Sequence, residues 1–356
     1  MILSELVFRR QEETMKEFSG YQHGINLGGW LSQSDYSHEH LETFIVEEDI
    51  KTIASWGLDH VRLPFDYDVI LGEDDFVRAD AFRYLDRCVE WCGKYGLNVI
   101  LDLHKTPGFS FDKGEQENGF FEEERYQDIF TAMWCEIAKR YAALADRVAF
   151  ELLNEITDKK YAVLWNRIAA RTIRELRRLA PDNPVLIGGI YNNSIFGLTL
   201  LDKPHDDHIV FNFHYYNPLV FTHQKAPWVD NMSPDCDVNY PDSKVVYYHK
   251  TAENIGAAQA EGILEFAGAD IDISYMEWEM RAAVEVAEKL GVPIYCGEYG
   301  VIDRVSDERL LRWYADVSAV FQKFGIGRAA WTYRQKDFGI TDPCRSRIRD
   351  QIIKYL

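Results

Sequence analysis

The chain contains the stretch Phe150-Glu151-Leu152-Leu153-Asn154-Glu155, a largely apolar run that ends in an amide and a carboxylate. A second stretch of the same form is Ile294-Tyr295-Cys296-Gly297-Glu298-Tyr299-Gly300. Each is typical of a buried β-strand with a glutamate at its carboxyl end. In a parallel barrel the carboxyl ends of all strands meet at one rim, where catalytic groups collect. The two stretches therefore predict that Glu155 and Glu298 belong to one site.

Apolar runs of this kind alternate with helical patterns along the whole chain. The runs are nearly continuous, as expected of strands buried on both faces, and predict strands at Gly24–Leu27, Asp59–Leu63, Asn98–Leu103, Val148–Leu153, Val185–Gly189, Ile209–His214, Pro293–Gly297 and Arg328–Thr332. Apolar residues at three- and four-residue spacing predict helices at Leu41–Trp56, Asp80–Tyr95, Glu123–Leu144, Lys160–Leu179, Ser274–Leu290, Asp307–Phe324 and Asp342–Tyr355. Eight strands that each lead towards a helix predict a (β/α)8 TIM barrel.

The chain has 356 residues and contains no Pro/Gly/Ser-rich linker or internal repeat, so we expect a single catalytic domain over residues 1–356. Only residues 217–273, after the sixth strand, break the rhythm of strands and helices. A stretch of this length at the rim is usually functional or disordered. Its aromatic residues, among them Trp228 and Tyr240, favour an ordered functional insertion.

The net charge of −19 argues against nucleic acid and anionic membrane surfaces as partners, because binding phosphate groups requires a concentrated basic surface. No segment approaches the length of a membrane span. Met1 to Gly20 contain no apolar stretch of signal-peptide length, so we expect a cytoplasmic protein. A secreted enzyme whose signal had been replaced by Met1 would have the same sequence.

Six cysteines are present, and we expect all of them to be reduced. Cys88 and Cys92 share a predicted helix at a spacing that suits a disulfide poorly. Cys296 lies inside an apolar strand, where a free cysteine behaves as a small hydrophobic residue. There is no CxxC pair and no zinc-like spacing with histidines, so neither a metal nor a cofactor is predicted.

Seven short motifs follow one another at barrel spacing. They are Gly24-Ile25-Asn26-Leu27-Gly28-Gly29-Trp30, His60-Val61-Arg62-Leu63-Pro64, Leu101-Asp102-Leu103-His104, Leu153-Asn154-Glu155, Phe213-His214-Tyr215-Tyr216, Gly297-Glu298-Tyr299-Gly300 and Trp331-Thr332-Tyr333. In this order the chain resembles glycoside hydrolase family five, the cellulase A family of retaining barrel glycosidases, from about Gly20 to Gly339.

The resemblance implies that Glu155 is the general acid/base and Glu298 the nucleophile, on strands four and seven. The residue types suit this chemistry. A retaining mechanism needs two carboxyl groups about 5–5.5 Å apart, which opposite strands of a closed barrel can provide. The acid has to be protonated near neutral pH, and a neighbouring carboxylate together with partial burial favours its neutral form.

The resemblance also assigns substrate-binding roles to residues around this pair. It implies that Arg62 holds Glu298, and the alternative is a structural ion pair with Glu151. It places Asn154 at the sugar 2-hydroxyl and His104 on the floor of the glycone subsite. It also places His214 against the substrate, Tyr216 in contact with the nucleophile, and Trp331 under the pyranose ring. Strand parity favours Tyr216 over Tyr215 as the inward tyrosine, and makes Asp102 the partner of His104. A turn-forming role for Asn154 and core packing of His104 and Trp331 remain alternatives.

Four aromatic residues, Trp30, Tyr36, Phe109 and Trp228, are weaker candidates for outer sugar subsites. One position departs from the family pattern, because Ile156 stands where the motif usually continues with proline. That departure affects the loop that presents Glu155.

These observations predict a retaining β-glycoside hydrolase of the endoglucanase or cellulase type, acting on β-1,4-linked glucans or gluco-oligosaccharides. An exo-acting β-glucosidase and a β-mannanase are the alternatives within the class. A non-catalytic carbohydrate-binding barrel is a further alternative, although such proteins typically lose one of the two glutamates. A metal-dependent barrel using His104, His214 and Glu298 is disfavoured, because no dense cluster of metal ligands is present.

Overall fold

The computed structural model describes residues 15–72, 74–78, 80–112, 115 and 118–356, and the predictions drawn from residues 1–14 lie outside these ranges. Eight parallel strands close into a barrel, and each strand pairs with its neighbours in chain order. The strands are β1 His23–Asn26, β2 His60–Asp66, β3 Asn98–Lys105, β4 Val148–Glu151, β5 Val185–Gly188, β6 Ile209–Tyr215, β7 Ile294–Tyr299 and β8 Gly327–Ala330. The predicted (β/α)8 barrel is confirmed.

Helices surround the barrel on the outside. The α-helices are His38–Thr43, Glu47–Ser55, Tyr67–Ile70, Arg83–Tyr95, Glu124–Tyr141, Ala162–Leu179, Ile190–Asn193, Ile195–Leu198, Leu219–Thr222, Lys244–Asn254, Ala257–Leu264, Ile273–Leu290, Asp307–Phe324 and Arg349–Ile353, and short 3-10 turns are Ala142–Leu144, Lys159–Tyr161 and Pro343–Arg345. Among the described helices, none combines the length and the apolar character that a membrane crossing requires.

Two predicted helices are wrong in their extent. The predicted helix Leu41–Trp56 is broken in two, because the Asp49 carboxylate accepts from the backbone N–H of Val46 at 2.9 Å and starts a new helix there. The predicted helix Asp342–Tyr355 is reduced to its last part. In the first part of the predicted range, the buried Arg345 side chain donates to the carbonyl oxygen of Ile302 at 2.8 Å, which holds the chain in a 3-10 turn.

The segment 217–273 after β6 contains three helices and a two-stranded antiparallel ladder of Asp242–Ser243 and Asp270–Ile271. Its first residue is fixed to the outer helix Asp307–Phe324, since Trp313 on that helix donates its indole N–H to the carbonyl oxygen of Asn217 at 3.1 Å. Farther along, the Tyr240 hydroxyl donates to Asp316 at 3.1 Å. The segment therefore packs on the barrel through specific contacts.

The inside of the barrel is built in two layers. The lower layer is apolar and closed from below by Phe18 and Tyr21, whose rings stack at 4.2 Å; its strand residues are Ile100, Ala149, Leu186, Val210, Tyr295 and Ala329. Residues two positions later on a strand face the same side, and there the side chains are polar. We call Asn26, Arg62, Asp102, Glu151 and Asn212 the polar layer; all five are fully buried. The polar layer supports the rim above it.

Candidate active site

Glu155 and Glu298 lie together at the carboxyl rim of the barrel. Glu155 follows β4, and Glu298 lies near the end of β7. One carboxylate oxygen of each lies within 4.8 Å of the other. Carboxyl groups about 5–5.5 Å apart suit a retaining mechanism, whereas an inverting mechanism needs about 6.5–9.5 Å to admit a water molecule. The separation fits a retaining mechanism, in which one of the two carboxylates attacks the sugar directly.

The Glu298 carboxylate is held at both of its oxygens. Arg62 donates from Nη1 to Oε1 at 2.7 Å, and the Tyr216 hydroxyl donates to Oε2 at 2.9 Å. Burial alone would raise the pKa of Glu298, but the electrostatic interactions with His214, Arg62 and His104 and the hydrogen bond from Tyr216 outweigh it and lower the pKa to about 2. Glu298 is therefore an anion at neutral pH, as a nucleophile has to be.

The Arg62 side chain is the centre of the polar layer. Nε and Nη2 each donate to one oxygen of Glu151 at 2.7 Å, and Nη2 lies 2.9 Å from Asp102. Arg62 is completely buried. The prediction that Arg62 binds substrate is therefore wrong in that sense, because a sugar cannot reach it. Instead the guanidinium joins Glu298 to Glu151, so the two roles considered for Arg62 coexist.

The peptide just before the nucleophile is fixed by two asparagines of the polar layer. Asn26 donates from Nδ2 to the carbonyl oxygen of Gly297 at 2.9 Å, and Asn212 accepts from the Gly297 N–H at 2.8 Å. A Cβ atom at position 297 would lie 2.7 Å from the Asn212 Oδ1 atom. Glycine is required here, because only its backbone lets the Asn212 amide approach so closely.

Glu155 is half-buried and is paired with His214. The His214 Nδ1 atom lies 2.8 Å from Glu155 Oε1 and 3.5 Å from Glu298 Oε2, so the imidazole stands between the two glutamates. Behind Glu155, the Ile156 carbonyl oxygen accepts from the backbone N–H groups of Tyr191 and Asn192 at 2.7 and 3.1 Å. The loop that departs from the family motif at Ile156 is thus fixed to the segment after β5.

The two adjacent tyrosines at the end of β6 point in different directions. Tyr216 contacts Glu298, as strand parity indicates, whereas the Tyr215 hydroxyl donates to Glu279 at 2.8 Å. Burial raises the pKa of Glu279 to about 7, against hydrogen bonds from Tyr215, Asn217 and Tyr275. Sequence reasoning missed Glu279, because it lies on the helix Ile273–Leu290, far along the chain from Tyr215.

His104 and Trp331 form the floor beside the pair. Their rings are parallel within 1°, with centroids 5.7 Å apart. Asp102 lies 2.6 Å from His104 Nδ1. Burial lowers the pKa of His104, but the charge and hydrogen bond of Asp102 together with the charge of Glu298 outweigh burial and raise it. Asn154 accepts from Arg62 Nη2 at 3.0 Å through its amide oxygen, so its NH2 group is the end that can face a sugar hydroxyl.

The four candidates for outer sugar subsites differ in how far their side chains are exposed. Trp30 is completely buried, donates its indole N–H to the carbonyl oxygen of Leu41 and stacks on Trp91, so its predicted role in substrate binding is wrong. Phe109 packs in a buried aromatic cluster with Phe120 and Phe121. Tyr36 is half-buried and donates to Asp66. Trp228, on the segment 217–273, is 45% exposed and is the one of these four aromatics that presents a wide face to solvent.

Asp66, at the end of β2, is a further residue that the sequence analysis missed. It is 2% exposed, and its Oδ2 atom accepts from the Gln33 N–H and the Tyr36 hydroxyl. Its Oδ1 atom is buried and has no hydrogen-bond donor among the described residues. Burial raises the pKa of Asp66. Strand parity could have found it, because it lies four positions after Arg62 on the same strand.

Glu155, His214 and Glu298 each offer a ligand atom, and these atoms lie within 4.8 Å of one another. Both Glu298 oxygens, however, already accept from Arg62 and Tyr216. A guanidinium 2.7 Å from a ligand oxygen would also repel a cation strongly in a buried site. The third residue of the metal alternative, His104, is directed at Asp102. The donor set fits an acid/base pair better than a metal site.

A parallel eight-stranded barrel with two facing carboxylates at its carboxyl rim, one held as an anion, is the architecture of a barrel glycoside hydrolase. The sequence model of the cellulase family, glycosyl hydrolase family 5, matches residues 18–337. The chain belongs to this family, and it is an endo-β-glucanase-like glycoside hydrolase.

Named relatives cover nearly the whole chain. Cellodextrinase A of Ruminococcus flavefaciens is 44% identical over 314 residues, which are 88% of this chain and 86% of that protein. Endoglucanase C of Acetivibrio thermocellus is 36% identical over 352 residues, or 94% of this chain and 98% of that protein. Among solved structures, an endoglucanase from Thermotoga maritima superposes with a TM-score of 0.74 at 23% identity, covering 95% of this chain and 97% of that one, which shows the shared fold.

Proposed function

We propose that this enzyme hydrolyses β-1,4-glucosidic linkages in soluble gluco-oligosaccharides and glucans with retention of anomeric configuration. The observation that carries the proposal is the pair Glu155 and Glu298, with oxygens within 4.8 Å of each other and Glu298 held as an anion. Relatives described as a cellodextrinase and an endoglucanase support the choice of β-glucans as the substrate class.

In the first step Glu298 attacks the anomeric carbon from below the sugar ring. The bond from C1 to the glycosidic oxygen breaks, and Glu155 gives its proton to that oxygen as the aglycone leaves. The product is a glycosyl ester on Glu298. The hydrogen bonds from Arg62 and Tyr216 keep the attacking carboxylate ionised and aimed, so that little reorganisation is needed at the moment of reaction.

In the second step Glu155 acts as a base. Esterification removes the negative charge of Glu298, and Glu155, now a carboxylate, takes a proton from water as that water attacks C1 from above. The ester bond breaks, Glu298 leaves as a carboxylate, and the sugar is released with its original configuration. No metal or cofactor is needed in either step.

The floor of the site supplies the contacts with the sugar. Trp331 offers a flat indole face beside the pair, and His104 stacks behind it at 5.7 Å. The Asn154 NH2 group is positioned by Arg62 to donate to the 2-hydroxyl, a contact that strengthens in the transition state. Trp228, on the segment 217–273, provides an exposed face on the rim for a more distant sugar unit.

The proposal is tested by measuring hydrolysis of barley mixed-linkage glucan, carboxymethylcellulose, mannan, cellobiose and longer cellodextrins. Rapid cleavage of cellodextrins with slower cleavage of the polymers supports the proposal, and product lengths separate endo from exo action. Preference for mannan or for cellobiose would favour the β-mannanase or β-glucosidase alternative. Binding of glucan without any turnover would mean a carbohydrate-binding barrel and would overturn the proposal.

Removing the Tyr216 hydroxyl is expected to move the pH dependence of the enzyme in a defined direction. The hydrogen bond from Tyr216 stabilises the ionised form of Glu298, so Tyr216→Phe raises the pKa of Glu298. Because the reaction needs the carboxylate, the acid limb of kcat/KM moves to higher pH. A hydrogen bond to a charged group contributes about 1.5–3 kcal/mol, so kcat is expected to fall about tenfold or more.

The matched control is Tyr215→Phe, which removes a neighbouring hydroxyl that donates to Glu279 instead. Its acid limb should coincide with that of the wild type. If both variants shift the acid limb equally, the effect comes from disturbance of β6 and not from the hydrogen bond to Glu298. A pH series of kcat/KM on one cellodextrin decides between these outcomes.

A further inference from the structure

The imidazole of His214 has a partner on the side away from the two glutamates. Asn193 is completely buried and lies 3.1 Å from His214 Nε2 through its Nδ2 atom. Asn193 comes from the segment after β5, to which neither the family motifs nor the roles derived above assign a function. It is therefore a candidate to influence the acid/base residue through His214.

The chain around Asn193 is shaped to bring its amide to this place. Tyr191, Asn192 and Asn193 have φ angles of 66°, 55° and 50°, three successive residues in the left-handed region. Left-handed backbone is unfavourable for residues other than glycine, although asparagine tolerates it best. On β5, a Cβ atom at Gly188 would lie 2.5 Å from Asn193 Oδ1. The strained segment and the missing side chain at Gly188 together make the space that the Asn193 amide occupies.

The direction of this hydrogen bond determines where the hydrogen of His214 lies. The Asn193 NH2 group donates, so Nε2 accepts and carries no hydrogen, and the hydrogen lies on Nδ1. Nδ1 faces Glu155 at 2.8 Å and Glu298 at 3.5 Å. The buried Glu151 below also interacts electrostatically with His214. The Asn193 NH2 group opposes a second hydrogen on Nε2.

We propose that Asn193 is a positioning residue that acts through His214 to keep the catalytic proton on Glu155. With Nε2 occupied by the Asn193 donor, His214 donates to Glu155 and does not take its proton. The proton therefore stays on Glu155 until the departing glycosidic oxygen receives it. This inference rests on the proposed function, since it requires Glu155 to be the acid.

The amide oxygen of Asn193 is left without a hydrogen bond from the described part of the chain by this arrangement. Oδ1 is buried and has no hydrogen-bond partner among the described residues. A half-turn of the amide would place Oδ1 against Nε2, and Nε2 would then have to carry a hydrogen. Oδ1 would then accept the second hydrogen of an imidazolium, so that the ring could hold a proton at the expense of Glu155. The observed orientation is the one that excludes a hydrogen from Nε2.

Asn193→Asp tests the proposal, because aspartate has nearly the same shape but can only accept a hydrogen bond from Nε2. His214 should become an imidazolium, and Glu155 should lose its proton at lower pH, so the basic limb of kcat/KM on cellotetraose moves to lower pH. Since general acid catalysis contributes about 100-fold or more, kcat/KM on cellotetraose is expected to fall about tenfold or more at neutral pH. Cleavage of 2,4-dinitrophenyl β-cellobioside, whose leaving group needs no proton, should be almost unchanged.

The control is Asn192→Asp, which makes the same change in a left-handed neighbour whose side chain is exposed. The Asn192→Asp variant should keep the wild-type ratio of activity on cellotetraose to activity on 2,4-dinitrophenyl β-cellobioside. Gly188→Ala, which crowds the Asn193 amide, should reproduce the selective loss on cellotetraose. Equal losses on both substrates, or no loss on either, would overturn the role of Asn193. Wild-type enzyme inactive on both substrates would instead overturn the proposed function.

Discussion

Glu298→Ala is expected to lower kcat/KM on a β-glucan by about 10⁴-fold or more, because no other group can form the glycosyl ester. Azide ions added to this variant should enter the space left by the carboxylate. With 2,4-dinitrophenyl β-cellobioside they should attack C1 from below and give the α-glycosyl azide. The measurement is product analysis by NMR together with the rate as a function of azide concentration.

Glu155→Ala is the matched partner of this experiment. The first step should remain fast with a dinitrophenyl leaving group and become very slow with a sugar leaving group, since only the latter needs a proton. Azide should now attack the glycosyl ester from above, so the product is the β-glycosyl azide. The same anomer from both variants, or near wild-type activity in either, would contradict the assignment of the two glutamates.

Arg62→Met is expected to have the largest effect on stability. Arg62 is completely buried and lies 2.7–2.9 Å from oxygens of Glu151, Glu298 and Asp102. Without the guanidinium these carboxylates are left buried without their shared cation, and breaking a buried ion pair in this way costs about 3–5 kcal/mol in the free energy of unfolding. Urea denaturation at neutral pH measures the loss.

The loss of unfolding free energy in Arg62→Met should depend on pH, because the buried carboxylates can take up protons. Burial already raises the pKa of Glu151 although Arg62 opposes the increase, so removing Arg62 raises this pKa further. A group whose pKa is raised in the folded state stabilises the fold at low pH and loses that contribution as the pH rises. The difference in unfolding free energy between Arg62→Met and wild type should therefore shrink as the pH is lowered. A difference that is constant with pH would mean that lost packing, and not unpaired charge, causes the effect.

The barrel and the glutamate pair could be predicted from the sequence because both depend on local patterns. Continuous apolar runs indicate strands buried on both faces, and strand parity decided between Tyr215 and Tyr216. Trp30 was predicted wrongly, because a motif position does not reveal whether an indole faces the cleft or the core. For Arg62, the apolar strand around it indicated a buried pair, but not that the side chain is beyond the reach of a sugar.

Other parts of the site carry no local signal. Asn193 reaches His214 only because three successive residues adopt left-handed backbone angles, and two of the three are asparagines, which occur commonly in turns. Glu279 meets Tyr215 and Asn217 across 64 and 62 positions of the chain. Contacts of this kind depend on how the segments pack after the barrel has closed, and no periodicity or spacing in the sequence specifies them.

The polar layer also has a consequence for the sugar above it. Counted as ionised groups, Asp102, Glu151 and Glu298 carry three negative charges, against the positive charges of Arg62 and His104. These five side chains together thus have an excess of one negative charge before any substrate arrives. A glycosyl unit passing through an oxocarbenium-like state develops positive charge at its ring. Glu298 and the charged side chains below it therefore hold a fixed counter-charge that favours that state over the neutral substrate.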